Sequence, residues 1–139
     1  MASIERHVTR DVIALDAMTP CRDAARLMAE RNIGSVAVRE AGKVIGLVTE
    51  RDLVVRVLAQ GDSGSMPIGE AMRTDVPRVP QTTNEAECSD LMRDHVTRHL
   101  LVEENGKVVG VISMRDVIRL MLDDKQFLIE QLQTYIDGR

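Results

Sequence analysis

"GKVIGLVTERD" occupies Gly42–Asp52 and "GKVVGVISMRD" occupies Gly106–Asp116. One phrase is written twice, with its glycines, lysine, hydroxyl residue and Arg-Asp ending in register. The displacement is 64 residues, and it holds outside the phrase. Asp11-Val12 meets Asp75-Val76, Thr19 meets Thr83, and Leu27-Met28 meets Leu91-Met92. Val38, Glu40 and Leu58 meet identical residues at Val102, Glu104 and Leu122, with no gap from residue 11 to residue 58. The chain is an internal duplication, so its fold is read one repeat at a time.

Each copy predicts a β-α-β-β-α unit. "DVIAL" and "DVPRV" are short extended segments, the second made irregular by Pro77 and Pro80. A helix follows. In the first copy Thr19 and Pro20 read as N-cap and first helical residue, with Ala24, Leu27 and Met28 at helical spacing. In the second, Thr82 or Thr83 is the expected cap, and Cys88, Leu91 and Met92 form the buried stripe. Two strands then flank Ala41-Gly42 and, in the second copy, Asn105-Gly106, a strong tight-turn pair. The last helix of each copy begins after Thr49 or Ser113, and the first ends near Gly61.

One such unit covers only one face of its small sheet. Two copies packed face to face cure that, which predicts an α/β (α+β) module with pseudo-two-fold symmetry. The expected division is a first domain over 1–61, a linker over 62–67, a second domain over 68–122, and a terminal amphipathic helix over 123–139. "IGEAM" (68–72) reads as a short helical turn. On the terminal helix Leu128, Leu132 and Tyr135 or Ile136 share a face, suited to docking on its own module or to pairing with another chain.

Composition limits the function. With 44% hydrophobic and 29% charged residues the chain is globular, and with 1% aromatics its core is aliphatic. A net charge of −4 and the lack of Lys/Arg runs argue against nucleic acid. No apolar run suits a signal peptide or a membrane span, so the expected setting is the cytoplasm, without membrane association. Cys21 and Cys88 lack partners at metal-ligand spacing and read as buried thiols, and His7, His95 and His99 are too scattered for zinc. There is no nucleophile with a placed base and no phosphate loop of the P-loop kind, so the chain is not expected to be an enzyme.

In the duplicated phrase, Thr49 with Asp52 and Ser113 with Asp116 fit a capping box in which Asp replaces Glu. The same residues fit a ligand site. A strand-to-helix junction offers free N–H groups and a positive dipole end, and an Asp carboxylate can grip vicinal hydroxyls. Gly34-Ser35 and Arg98-His99, which begin the neighbouring strands, fall within reach of a phosphate.

At these residues the chain resembles a tandem pair of cystathionine-β-synthase-type (CBS) domains. The family hallmark, Gly-apolar-apolar-Thr/Ser-x-x-Asp, occurs as Gly46–Asp52 and Gly110–Asp116. The strand starts "IGSVAV" (33–38) and "RHLLV" (98–102) match family variants, with Leu101 replacing the usual Pro. The likeness covers roughly residues 8 to 122. It implies a CBS pair with an extended C-terminal helix, acting as a regulatory module. It further implies that clefts between the paired domains bind AMP, ADP, ATP or S-adenosylmethionine, with no cofactor required. By that resemblance Asp52 and Asp116 hold ribose hydroxyls, while Thr49 and Ser113 bond ribose or phosphate. Gly34, Ser35, Arg98 and His99 flank the ligand, and Arg98 and His99 are the phosphate candidates. Val12, Ile13, Val76 and Pro77 offer backbone and apolar contact to adenine. Arg51 and Arg115 add charge or form surface ion pairs. Only the second copy has the Arg-His pair, so unequal affinities are expected. A homodimer and a regulated protein partner are also expected. The alternative is a ligand-free structural or dimerisation module acting through protein–protein contacts.

Overall fold

The computed structural model describes residues 3–10 and 12–138. Met1, Ala2, Asp11 and Arg139 lie outside the described residues, and with them the Asp11 start of the first extended segment and the final residue of the expected terminal helix. The chain divides into two compact units, Asp11–Val76 and Met1–Arg10 with Pro77–Arg139.

These units do not follow the division expected at residues 61 and 67. The segment before each repeat belongs to the unit of the other repeat. Residues 3–10 complete the second half, and residues 68–76 complete the first. The reason is a free strand edge. In the first half Arg73 and Leu47 exchange two backbone hydrogen bonds of 2.9 and 3.1 Å, and Ile68 N donates to Thr19 O. In the second half Thr9 and Val111 exchange bonds of 3.0 and 3.1 Å, and Ile4 N donates to Thr83 O. Each arm thereby occupies N–H and C=O groups that an edge strand would otherwise leave unpaired. Every one of these pairs is related to its twin by the same 64-residue shift, so the duplication reaches back to Ile4 and Ile68.

In the first unit β1 (Ala14–Asp16) runs parallel to β2 (Ser35–Glu40), and β2 runs antiparallel to β3 (Lys43–Thr49). The tight turn holds Ala41 and Gly42 at φ of 51° and 76°, the conformation a two-residue hairpin requires. Helix α1 (Cys21–Arg31) and a last helix, α2, cover one face. Helix α2 opens at Glu50–Asp52, widens to a π turn over Leu53–Val57 and tightens over Leu58–Gln60 before Gly61 ends it at φ 85°. The short α3 (Ile68–Ala71) is the expected turn. Cys21, Ala24, Met28, Val36, Val38, Val48 and Ile68 form an aliphatic core.

The start of α1 differs from the sequence reading. Pro20, not Thr19, occupies the N-cap position, and no side chain caps the helix. The free N–H groups of Cys21 and Arg22 donate instead to Met66 O and Gly64 O. The expected linker over 62–67 is thus a built capping loop. Asp62 Oδ1 accepts from Gly64 N at 2.7 Å and Met66 N at 3.2 Å, and these bonds hold its carboxyl below the usual carboxylate range.

The second unit repeats the plan. Strand β4 (Arg78–Val79) pairs parallel with β5 (His99–Glu104), which pairs antiparallel with β6 (Lys107–Ser113). Both sheets carry a register shift at equivalent points, Val38/Arg39 and Val102/Glu103. Asn105 and Gly106 form the turn at φ of 53° and 78°. Helix α4 (Glu85–Asp94) is capped by Asn84, whose side chain accepts from Glu87 N at 3.0 Å, and not by Thr82 or Thr83. Thr83 is buried and its carbonyl serves the arm. Helix α5 (Met114–Asp137) runs 24 residues without a break. Among the described residues no helix is long and apolar enough to cross a membrane. Cys21 and Cys88 are both free and buried, and burial pushes the Cys88 thiol up to about 11.

Candidate functional site: two strand-to-helix junctions

The phrase that opened the sequence folds identically in both halves. Strand β3 ends at Thr49, and α2 starts one residue later. Thr49 N and Oγ1 donate to Asp52 Oδ2 at 2.9 and 3.0 Å, and Asp52 N donates back to Thr49 Oγ1 at 3.2 Å. Strand β6 ends at Ser113, which donates from N and Oγ to Asp116 Oδ2 at 2.8 Å each and accepts from Asp116 N at 3.2 Å. These are complete capping boxes.

Each box uses one carboxylate oxygen and leaves the other to its surroundings. Asp52 Oδ1 lies 3.9 Å from Arg56 Nε, and Asp52 is buried. Asp116 is half-buried, and among the described residues its Oδ1 has no hydrogen-bond or ion-pair partner. Arg56 is a feature the sequence reading missed, although its spacing of four from Asp52 marked it as a helix neighbour. Its counterpart in the second copy is Leu120, which is buried in the core.

The strand starts join these junctions. Ser35 pairs with Thr49, and Glu50 N donates to Gly34 O at 3.1 Å. His99 pairs with Ser113, and Met114 N donates to Arg98 O at 2.8 Å. The leading segments reach the same end of each sheet. Ala37 N donates to Ile13 O, next to half-buried Val12, and Leu101 N donates to Pro77 O. In the first unit the fold therefore gathers Val12, Ile13, Gly34, Ser35, Thr49 and Asp52. In the second it gathers Pro77, Arg98, His99, Ser113 and Asp116. Val76 is buried and ends the first unit, so it does not belong to the unit that holds Pro77.

The charges differ between the two ends. Arg51, Arg98 and Arg115 are exposed, and among the described residues none has a carboxylate at ion-pair distance. At the first junction the Glu50 carboxylate stands against Gly34, where an added Cβ would lie 3.3 Å from Glu50 Oε1. At the second, the residue matching Glu50 is Met114. The first junction thus carries a carboxylate where the second has a thioether, and the second neighbouring strand begins with Arg98 and His99 where the first has Gly34 and Ser35.

The inner glycines of the phrase have a structural task. A Cβ on Gly46 would lie 2.7 Å from Arg73 O, and one on Gly110 would lie 2.8 Å from Thr9 O. They let the exchanged arms cross β3 and β6. One surface concavity borders the first junction through Glu50, and another lies apart from both capping boxes. The latter, of about 370 Å³, is lined by Arg78, Val79, Pro80, Glu103, Asn105 and Gly106, and the former, of about 310 Å³, lies between α1 and α2. Neither is lined by the Thr, Ser or Asp of a capping box. Among the described residues no three His, Cys, Asp or Glu side chains gather as a metal site.

Two repeats, each a three-stranded sheet with a Gly-x-x-Thr/Ser-x-x-Asp junction, define the class. The CBS domain family model matches residues 3–59 and 68–123, and the chain belongs to that family. The chain is 30% identical over 117 residues to the CBS domain-containing protein YhcV of Bacillus subtilis, covering 84% of each chain. Of other curated relatives it spans about three-fifths (62%) of the length. It is also 31% identical to inosine-5'-monophosphate dehydrogenase of Thermoplasma acidophilum, of which it spans 22%. Among solved structures it is similar to a putative signal-transduction protein with CBS domains from Burkholderia ambifaria, with 34% identity and a TM-score of 0.78. That match covers 83% of this chain and 85% of that one. CBS domain pairs are commonly regulatory, ligand-sensing modules.

Proposed function

We propose that the chain is a non-catalytic sensor of adenosine-containing small molecules, acting in the cytoplasm as a homodimer on a regulated protein. AMP, ADP, ATP and S-adenosylmethionine are the candidate ligands. The observation that carries this reading is the second carboxylate oxygen of Asp116, which has no partner among the described residues, at a junction whose neighbouring strand begins with Arg98 and His99. That oxygen suits ribose hydroxyls, the exposed guanidinium suits phosphate, and the start of α5 adds its dipole. The first junction, with Glu50 at its strand start and Arg56 on Asp52, takes an uncharged or less anionic part of the same ligand class more readily. Affinity for AMP, ADP and ATP is therefore higher at the second junction.

One observation favours the ligand-free interaction module instead. Both Asp residues already make complete capping boxes, which explains their presence without a ligand. Calorimetric titration with the four candidates, on the wild type, Asp52→Ala and Asp116→Ala, separates the readings. Saturable heat that Asp116→Ala abolishes and Asp52→Ala only reduces supports the sensor. Folded protein with no heat, and no rise in melting temperature at high ligand, leaves the interaction module.

A further inference from the structure

From Lys125 onward every described residue of α5 is exposed, and the helix continues to Asp137. An isolated helix of that length is marginal in water, so a partner surface is expected to hold it. Its sequence is patterned for one. Ile118, Met121, Lys125, Leu128, Leu132 and Tyr135 alternate at spacings of three and four, the seam of a two-helix coiled coil. Leu122, Ile129 and Ile136 widen that seam along one side. The apolar members of this stripe are 42% to 65% exposed. The protein's one Phe and one Tyr both lie on this segment, at 64% and 65% exposure. Aromatic side chains are the usual anchors of protein interfaces.

We propose that this stripe is the contact between two copies of the chain, with the α5 helices packed antiparallel along Ile118–Ile136. The proposal deepens the homodimer reading above and is independent of the nucleotide reading. Two arguments select a second copy and its orientation. At roughly 100 Å² for each large exposed side chain the stripe offers on the order of 800 Å² per chain, about what each partner contributes to a standard stable interface. Parallel in-register pairing would stack Lys125 on its own copy inside an apolar seam. Antiparallel pairing instead sets Ile118 against Tyr135, Met121 against Leu132, and Lys125 against Leu128, where the lysine stem covers leucine and its ammonium reaches water. It also sets Arg115 of one helix level with the Asp137 end of the other, with opposed helix dipoles.

The test combines sedimentation equilibrium with cysteine pairing in the full chain. Leu128→Asp/Leu132→Asp is expected to turn a dimer into a folded monomer that melts like the wild type diluted to its dissociated state, since both positions are exposed. Met121→Cys/Leu132→Cys is expected to oxidise to a covalent dimer, whereas neither single variant does. Those two positions are about 16 Å apart along one helix, too far for a bond within a chain. Cys21 and Cys88 are buried and stay out of the reaction. A monomeric wild type at 100-fold dilution above and below the micromolar range would overturn both the dimer and this seam. A dimer that survives the double Asp variant would overturn the seam alone. Cross-linking of each single variant would overturn the antiparallel arrangement.

Discussion

Gly110→Ala tests whether the arm of residues 3–10 sits as described. The added Cβ overlaps Val8 Cγ1 and lies 2.8 Å from the Thr9 carbonyl oxygen. That oxygen cannot turn away, because it accepts from Val111 N at 3.1 Å while Thr9 N donates to Val111 O at 3.0 Å. The strain has two outlets. The arm can stay and the strands part slightly, an overpacking cost of about 1–3 kcal/mol. Alternatively the arm can leave, which gives up two backbone bonds at about 0.5–1.5 kcal/mol each and exposes Ile4 and Val8 at roughly 1.5–3 kcal/mol each. The first route is cheaper, so the arm stays docked and stability falls by about 2–3 kcal/mol. Urea unfolding followed by far-ultraviolet circular dichroism reads the change, which suits a chain with no Trp. Val8→Ala removes the overlapping methyls, so Val8→Ala/Gly110→Ala is expected to lose less than the sum of the two single variants. A Gly110→Ala variant within about 0.5 kcal/mol of the wild type, or strict additivity with Val8→Ala, would refute the crossing geometry.

Further variants test other parts of the fold. Asp116→Ala removes a capping-box acceptor and a charge at the start of α5, so it is expected to lower stability by about 1–2 kcal/mol. Asp116→Asn keeps an acceptor and should lose about half as much or less, as thermal melts of the two variants will compare. Val96 holds a φ of 50° at 83% exposure, in the position that Asn32 occupies at φ 53° in the first copy. Left-handed backbone is unfavourable for a β-branched residue, so Val96→Asn is expected to stabilise by about 1 kcal/mol in chemical denaturation. Burial and the neighbouring Asp124 carboxyl push Glu85 above its usual range, and its Oε2 has no partner among the described residues. A raised folded pKa means that the stabilisation is fully present below the unfolded value of 4.5 and fades as pH rises through the folded one. Glu85→Gln should therefore raise the melting temperature at pH 7 and flatten the decline above pH 4.5. An unchanged melting profile would show that Glu85 is not desolvated.

What the residues revealed directly was local. The hairpins, both capping boxes and the end of α2 at Gly61 depend on neighbours a few positions apart, and their signals stand in the phrase itself. The helix starts misled for the opposite reason. Thr19 looks like a cap, but the N–H groups it would serve are taken by carbonyls of Gly64 and Met66, more than forty residues later in the chain. Likewise Thr83 lost its place to Asn84 because its own carbonyl receives Ile4. The arm exchange was the least visible feature, since it rests on backbone bonds that almost any side chain permits. Its trace was the Ile4 and Ile68 identity at the repeat shift, together with glycines 46 and 110 in the middle of strands. At the candidate site the grouping of Thr49 or Ser113 with the strand starts was legible from the hairpin register. The direction of each second carboxylate oxygen was not, because it turns on whether Arg56 or Leu120 follows one helical turn later.

The exchanged arms impose an order on synthesis. The sheet-forming parts of the first unit are continuous from residue 12 to residue 76, so that unit can close while the rest of the chain is still being made. The arm carrying Ile4 and Val8 leaves the ribosome before any of it, yet its berth on β6 is the last strand to emerge. For most of translation those two side chains are without their burial site, tethered to an already folded neighbour. A nascent chain halted before Ser113 would hold one finished half and a loose apolar tail, which makes that interval the point at which a chaperone has something to grip.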